Sequence, residues 1–371
     1  MLNYEFPPIG GGAANAHRCL LQQYARNSSL TVDVLTSAPK PSFIEEKFAD
    51  NITIYKVGLH KKHLHYWRKT EVIGWLFKAG FHYRRLLREN DYDFAHAFFG
   101  FPTGWLCYRC SHKLPYIISL RGSDVPGEHA RLKLDYKILG PVFRAIWKKA
   151  TALVACSEGL KNRALKFMPS VNIDVIPNGV DSERFSPSET PPEQQTLRLL
   201  TVGRLSVTKR METLIDAVDN LNKQGCKVLL KIVGGGQMQQ KLKQILKEKK
   251  LDNIIEITGR IDAGDMPRIY RQNDIFISAS KLEGMSNAML EAMASGLPII
   301  ATRCEGTEEL IAENGLVIEN ATAEEIAKAI KILIDDRQLR NQMSTAARQR
   351  AQQFTWGRIA EKYLKIYERV K

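Results

Sequence analysis

Short runs rich in Val, Ile and Leu alternate with helical stretches along the whole chain, and this alternation constrains the fold more than any other feature. Such runs, set between helices, read as parallel strands in an α/β sheet. In the first half, strands are predicted at residues 31–35, 52–57, 94–98, 116–120, 152–155 and 173–176. In the second half they are predicted at 197–202, 228–233, 254–258, 275–278 and 298–301. Helices are predicted over 216–223 and 237–249, the latter Lys-rich and read as a solvated face. A last helix spans 354–371, with Trp356 near its start and Ile359, Tyr363, Ile366 and Tyr367 as its apolar residues.

With 371 residues the chain has room for two domains. The segment 186–195 is polar, Pro-rich and without periodicity, so it reads as the linker. The hydrophobic share of 44% and charged share of 25% let each half bury a core. A formal charge of +14 favours anionic partners: nucleotides, nucleic acid or an acidic membrane surface. The six cysteines are scattered, and the lone CxxC of Cys107 and Cys110 has no second pair to complete a zinc site. No apolar run has the length of a membrane span, and the start lacks a signal-peptide core, which predicts a cytoplasmic location. About five residues precede the first glycine loop where a full strand is expected, so a natural start a few residues upstream is an expectation.

Three motifs carry chemistry. Pro7-Pro8-Ile9-Gly10-Gly11-Gly12 lets the backbone approach a ligand closely, with the next helix aiming amides at an anion. It is not GxGxxG, and a plain tight turn is the alternative. Gly203-Arg204-Leu205-Ser206-Val207-Thr208-Lys209 follows a strand, where Arg204 and Lys209 can reach a diphosphate. In the third, Glu283 lies in the loop Gly284-Met285-Ser286-Asn287 that opens a helix, and Glu291 stands one turn inside it. The stop at Gly296 and Pro298 is clear. A carboxylate there suits a ribose diol, and the loop carboxylate suits sugar hydroxyls; solvated helix-start acids are the alternative.

The two glutamates, in the setting EGxxNxxLEAMASGLP, resemble the EX7E signature of the family 4 retaining glycosyltransferases. The resemblance extends over the 10–12 loop, Ile176-Pro177-Asn178-Gly179-Val180-Asp181, the 203–209 loop, Phe276-Ile277-Ser278-Ala279-Ser280 and the Trp356 helix. It implies the GT-B fold: two Rossmann-like, doubly wound α/β domains facing a cleft. The last helix crosses back to the N-terminal domain. The expected domains are 1–183 with 355–371 on the acceptor side, and 184–354 on the nucleotide-sugar side. By the same resemblance, Arg204 and Lys209 bind the donor diphosphate, Glu291 the ribose and Glu283 the donor sugar. Gly284, Met285, Ser286 and Asn287 supply amides, and Gly11 and Gly12 face the diphosphate from the other domain.

The chain departs from the family pattern at Arg121-Gly122-Ser123-Asp124, where a His commonly stands in place of Arg121. His96 is then a remaining catalytic candidate, with a core histidine as the alternative. Arg210 stands where Gly is usual, and Glu305-Gly306 replaces a double glycine. The motifs contain no metal cluster, and Asp91-Tyr92-Asp93 reads as loop capping, so no metal and no tightly bound cofactor are expected. The expected activity moves a sugar from a nucleotide sugar to a hydroxyl of a glycan or lipid-linked acceptor, in surface polysaccharide or glycolipid synthesis. The donor is a UDP-sugar first, GDP-mannose next. The resemblance puts configuration retention in the hands of the leaving phosphate. The basic, aromatic segment 60–88 predicts peripheral docking on an anionic membrane, with a solvated helix whose aromatics are buried as the alternative. Rival readings are a catalytically silent nucleotide-sugar-binding subunit and a GT-B epimerase or phosphorylase. A nucleic-acid binder lacks any supporting signature.

Overall fold

The computed structural model describes residues 1–61, 63–127, 133–188 and 196–371. Residues 189–195 of the expected linker, and Lys62 of the basic segment, lie outside the described residues. The chain divides into two compact units: Met1–Asn178 with Trp356–Lys371, and Gly179–Thr355. In the first unit the elements are α1 (Gly12–Tyr24), β1 (Val32–Ala38), β2 (Phe43–Ala49), β3 (Ile52–Gly58), α2 (Lys69–Glu89), β4 (Ala95–Phe98), α3 (Thr103–Arg109), β5 (Tyr116–Leu120), α4 (Lys133–Lys149), β6 (Ala152–Ala155), α5 (Glu158–Phe167) and β7 (Ile173–Val175). In the second they are β8 (Leu197–Val202), α6 (Met211–Lys223), β9 (Val228–Val233), α7 (Gln239–Lys249), β10 (Ile255–Gly259), α8 (Met266–Arg271), β11 (Ile275–Ser278), α9 (Asn287–Ala294), β12 (Ile299–Thr302), α10 (Thr307–Leu310), β13 (Gly315–Ile318), α11 (Ala323–Asp335) and α12 (Arg337–Ala351). The last helix, α13 (Trp356–Val370), belongs to the first unit.

The first boundary falls a few residues before the expected 183, for a local reason. Val180 N–H donates to Phe354 O at 2.7 Å, and Arg348 Nη1 donates to the carbonyls of Ser182 (2.8 Å) and Phe185 (2.9 Å). The Phe185 ring packs edge-on against Tyr270. These ties commit residues 179–185 to the second unit.

The first unit carries strands in the orders β1-β3-β2 and β4-β5-β6-β7, parallel except for β2. Leu2 bridges both Leu35 of β1 and Ala97 of β4, so the first residues of the chain hold the central place. Beyond them the backbone enters the glycine loop. α13 lays Trp356, Ile359, Ala360, Tyr363, Ile366 and Tyr367 into the core, a helical period of apolar positions. Its tyrosines also make polar ties there: Tyr367 Oη with Tyr24 Oη at 2.9 Å, and Tyr363 Oη with Ser119 Oγ at 3.0 Å. Replacing Tyr367 with Phe leaves buried partners unsatisfied and is expected to cost about 1–3 kcal/mol of stability in urea unfolding. A loss under about 0.5 kcal/mol, the scale of neutral surface changes, would contradict this.

The second unit is a six-stranded, all-parallel sheet in the order β10-β9-β8-β11-β12-β13. Helices α6 and α11 close its core through Leu214, Ile215, Val218, Ile326, Ile330 and Leu333. Strands buried on both faces need unbroken apolar runs, which Leu199, Leu200, Ile275, Phe276, Ile299 and Ile300 supply.

Candidate active site

The chain leaves β8 toward β9 and β10 on one side of the sheet. From β11 it proceeds to β12 and β13 on the other. The loops at the carboxyl ends of β8 and β11 therefore part company between the two strands. In open α/β sheets this switch point is where ligands bind. The β8 loop holds Gly203, Arg204 and a short turn ending in Lys209; the β11 loop holds Glu283. Lys281 N–H donates to Thr208 O at 2.8 Å and ties the two loops together. Lys209 Nζ donates to Glu283 Oε2, both side chains about one-fifth exposed (18% and 22%). Arg204 is exposed on the same loop. Thus the two residues predicted to meet a diphosphate and a sugar are in contact with each other.

Backbone lies close beneath the β8 loop, whose Leu205 side chain is buried in the core. Gly234 has φ +138°, and a Cβ there would lie 1.9 Å from Gly203 O. A Cβ on Gly236 would lie 2.3 Å from Leu205 O. Gly306, at φ +73°, backs the other loop: its Cβ would meet Gly284 O at 2.5 Å. The double glycine is thus reduced here to the one position where close approach demands it, with Glu305 at the other.

Ser286 caps α9, accepting from Met289 N–H at 3.3 Å, and is buried together with Met285. Gly284 and Asn287 are partly exposed on either side. The positive end of α9 thus adjoins Glu283 and its Lys209 partner. One turn in, Glu291 Oε2 accepts from Tyr270 Oη at 2.8 Å. Burial pushes the Glu291 carboxyl up to about 7, against the Tyr270 hydrogen bond and the Arg184 charge. Sequence reasoning missed Tyr270, Arg184 and Cys304. Cys304 feels the charges of both Glu283 and Lys209, and burial, the leading cause, raises its thiol to about 11. Only the chain's return after β12 brings it there, a placement no local pattern announces.

In the first unit, Gly10 has φ +97°, Gly11 precedes α1, and Gly12 opens it with no side-chain cap. This end of α1 follows the central position held by Leu2, the counterpart of the β8 loop. Arg121 follows β5. Its Nη1 donates to Asn178 Oδ1 at 2.7 Å and its guanidinium lies 4.5 Å from the Phe98 ring centroid. Asp124 fixes that loop by accepting from the backbone N–H of Arg121 (2.8 Å), Gly122 (2.9 Å) and Gly100 (2.7 Å). Burial is the leading influence and raises the Asp124 carboxyl despite these donors.

His96 is corrected from catalytic candidate to core residue. All four residues of β4 are buried, and His96 is 1% exposed. Its Nδ1 pairs with Tyr367 Oη and its Nε2 with Ser119 Oγ, both at 2.7 Å. Burial holds its pKa well below the ordinary value, so the ring is neutral. With both nitrogens occupied, it has no atom left for a substrate. Among the described residues, no group of three His, Cys, Asp or Glu side chains is placed to hold a metal ion. Tyr92 of the Asp91-Tyr92-Asp93 segment bonds Asp33 at 2.6 Å, and Asp93 pairs with Lys371 at 3.4 Å.

Residues 182–350 match the family described as Glycosyl transferases group 1, and residues 10–184 match Glycosyltransferase Family 4. The two matches together run through both units. The chain belongs to glycosyltransferase family 4. As a glycosyltransferase it is a transferase enzyme of the GT-B fold. It is similar to an uncharacterized glycosyltransferase of Methanocaldococcus jannaschii, with 31% identity over 64% of this chain and 63% of that protein. It is also similar to the GDP-mannose-dependent alpha-(1-6)-phosphatidylinositol monomannoside mannosyltransferase of Mycobacterium tuberculosis, with 27% identity over 60% and 62% of the two chains. The chain thus spans somewhat under two thirds of the length of both relatives. The crystal structure of Anabaena HepE in complex with UDP and glucose superposes with a TM-score of 0.75 at 19% identity, over 99% of this chain and 98% of that one.

Proposed function

We propose that this glycosyltransferase moves a sugar, with retention of anomeric configuration, from a nucleoside diphosphate sugar to a hydroxyl of a glycan or lipid-linked acceptor. A UDP-sugar is the first choice of donor and GDP-mannose the second. The observation that carries the reading is the Lys209–Glu283 pair at the β8/β11 switch point, beside the positive end of α9. Lys209 and Arg204 offset the charge growing on the leaving diphosphate. Amides of Gly284, Met285, Ser286 and Asn287 add dipoles, and Glu283 accepts from sugar hydroxyls. The bond from the anomeric carbon to the phosphate oxygen breaks. The acceptor oxygen bonds to the same face of that carbon, and its proton passes to the departing phosphate. In the first unit Gly11 and Gly12 open α1, whose positive end suits phosphate, and Arg121 stands at the family's usual His position. A HepE structure that contains UDP and glucose supports the donor class, and a relative named for a phosphatidylinositol acceptor supports a lipid-linked one.

The test is a panel of UDP-sugars and GDP-mannose, followed by nucleotide release without acceptor and by proton coupling constants of any glycosylated product. Release with an axial donor giving an axial product is expected. Intact donors throughout would favour a silent binding subunit, and an inverted anomer would overturn retention.

Glu291 gives this reading a pH signature. Ribose hydroxyls donate to an ionised carboxylate, whereas free Glu291 is half protonated near 7. Binding therefore releases a proton between the ordinary value of 4.5 and about 7, and nucleotide affinity weakens as pH falls through that window. The folded chain alone behaves oppositely: the raised pKa stabilises it below 4.5, and that contribution is lost as pH rises through about 7. Titration calorimetry in buffers of different ionisation enthalpy reads the proton directly. Glu291→Gln should abolish the release, and an unchanged release in that variant would refute the assignment.

Membrane docking remains part of the proposal. On α2, Trp75 and Tyr83 are buried while Ile73 (52%), Phe77 (79%) and Phe81 (62%) are exposed one turn apart. The aromatics thus divide between the core and the exposed face of α2. An apolar stripe beside Lys78, Arg84, Arg85 and Arg88 suits the interface of an anionic bilayer. No helix among the described residues is long and apolar enough to cross a membrane. Flotation on anionic but not neutral vesicles is expected; equal binding to both would remove this part.

A further inference from the structure

A groove of about 380 Å³ runs along the first unit between α2 and α3. Its floor is apolar: Ile73 and Phe77 line one end, and Trp105 stands on the opposite wall. Gly80 faces Leu106 where the two helices meet: a Cβ there would stand 3.4 Å from Leu106 Cδ2, in ordinary contact. At the other end the lining turns cationic, with Arg84 and Arg109. Charge there is concentrated: Arg84, Lys113 and Arg109 all act on the Cys110 thiol, and Arg84 hydrogen-bonds it. Arg109 also lies 5.8 Å from the Trp105 ring. Among the described residues, no carboxylate lines the groove. From Ile73 to Arg84 the helix rises about 16 Å, the reach of a medium hydrocarbon chain.

A trough that is apolar along its length and doubly cationic at one end fits an amphiphile with one chain and one anionic head. We propose that this groove seats a single hydrocarbon chain of an anionic membrane lipid, its phosphate held between Arg84 and Arg109. The proposal rests on the membrane-docking reading and adds a lipid-specific seat to it. Burying a chain removes apolar surface from water, and paired arginines give a phosphate forked, charge-assisted hydrogen bonds. The stripe of Phe77 and Phe81 places the groove beside the bilayer, so a lipid enters without crossing water.

The test uses the full chain and lysophosphatidic acid with a dibrominated acyl chain, below its micelle concentration, as a quencher of tryptophan emission. Saturable quenching is expected. It should be at least about tenfold tighter than with the equally brominated lysophosphatidylcholine, whose head is net neutral. Trp105→Phe should remove most of the quenching. Arg84→Gln with Arg109→Gln should weaken binding at least about tenfold, and Arg84→Lys with Arg109→Lys should keep it within a few-fold, separating charge from packing. Quenching unchanged in Trp105→Phe, or affinity unchanged in the double Gln variant, would overturn the proposal. So would displacement by millimolar inorganic phosphate, which would mark a phosphate site with no chain seat. Vesicle flotation that persists without Trp105 quenching would leave docking intact and sink the seat alone. Saturable monomer binding with no flotation would do the reverse.

Discussion

Lys209→Ala and Glu283→Ala are each expected to lower donor turnover by about 10²–10³, the scale of losing one preorganised donor aimed at developing charge. Lys209 carries a full positive charge to the carboxyl end of β8, and Glu283 holds it there. On the proposed roles, removing the lysine takes away the counter-charge to the leaving diphosphate and leaves a carboxylate beside it. Removing the glutamate frees the lysine from its position and deletes an acceptor for sugar hydroxyls. Because the two act on each other, the double variant should be far from additive. Folding should change little, since partly exposed ion pairs contribute only about 0–1 kcal/mol. Steady-state donor hydrolysis, paired with a thermal melt, checks both halves. Activity within a few-fold of the parent in either variant would count against these roles.

The second large effect falls on a residue with no chemistry. Gly234→Ala is expected to destabilise the second unit by about 2–4 kcal/mol, through a positive φ and a clash of backbone with Cβ. The added atom would stand 1.9 Å from Gly203 O and 2.9 Å from Gly203 C, and neither can swing aside as a side chain would. Gly203 N–H is itself held by Val233 O at 2.9 Å, and Gly234 N–H by Gly259 O at 2.7 Å. The strain therefore passes into the Gly203–Lys209 loop. At about 2–4 °C per kcal/mol for a unit of this size, the melting midpoint should drop by roughly 5–15 °C. Gly264→Ala is the control, because nothing lies within 4 Å of its Cβ position. Equal melts for the two variants would show that the loop does not depend on this close approach.

The parts of the fold that sequence announced were those decided locally. β5, β6, β8, β9 and β11 lie where their Val, Ile and Leu runs predict, because most of their residues are buried between helices and the few polar ones, such as Arg198 and Lys231, do not break the runs. β2 escaped notice because it is an antiparallel edge strand, mostly exposed, with Glu45, Glu46 and Lys47 in its middle. β13 was not predicted: it begins at Gly315, a residue that weakens strands, and lies at the edge of its sheet, mostly half-buried. α6 starts earlier than predicted: Arg210, in the left-handed region at φ +50°, turns the chain into it, a conformation that sequence does not reveal.

The same division runs through the site. The α9 helix was legible because its cap Ser286 and its stop Gly296 sit beside it in sequence. Lys209 and Glu283 were legible as a motif. Their contact depends on β8 and β11 being neighbours, which is a property of the sheet. His96 was misjudged as a catalytic candidate because its partners, Ser119 and Tyr367, are far away in sequence. An apolar-looking strand and a polar residue within it cannot be told from a site until those partners are known.

Hydrogen–deuterium exchange of the full chain with UDP-glucose and with GDP-mannose tests the central claim most directly: a nucleotide sugar sits where the β8 and β11 loops diverge. The account predicts that at least one donor slows exchange in residues 203–210 and 284–290, and that Lys209→Ala removes this protection. Donor binding that protects other segments while leaving both loops unchanged would contradict it.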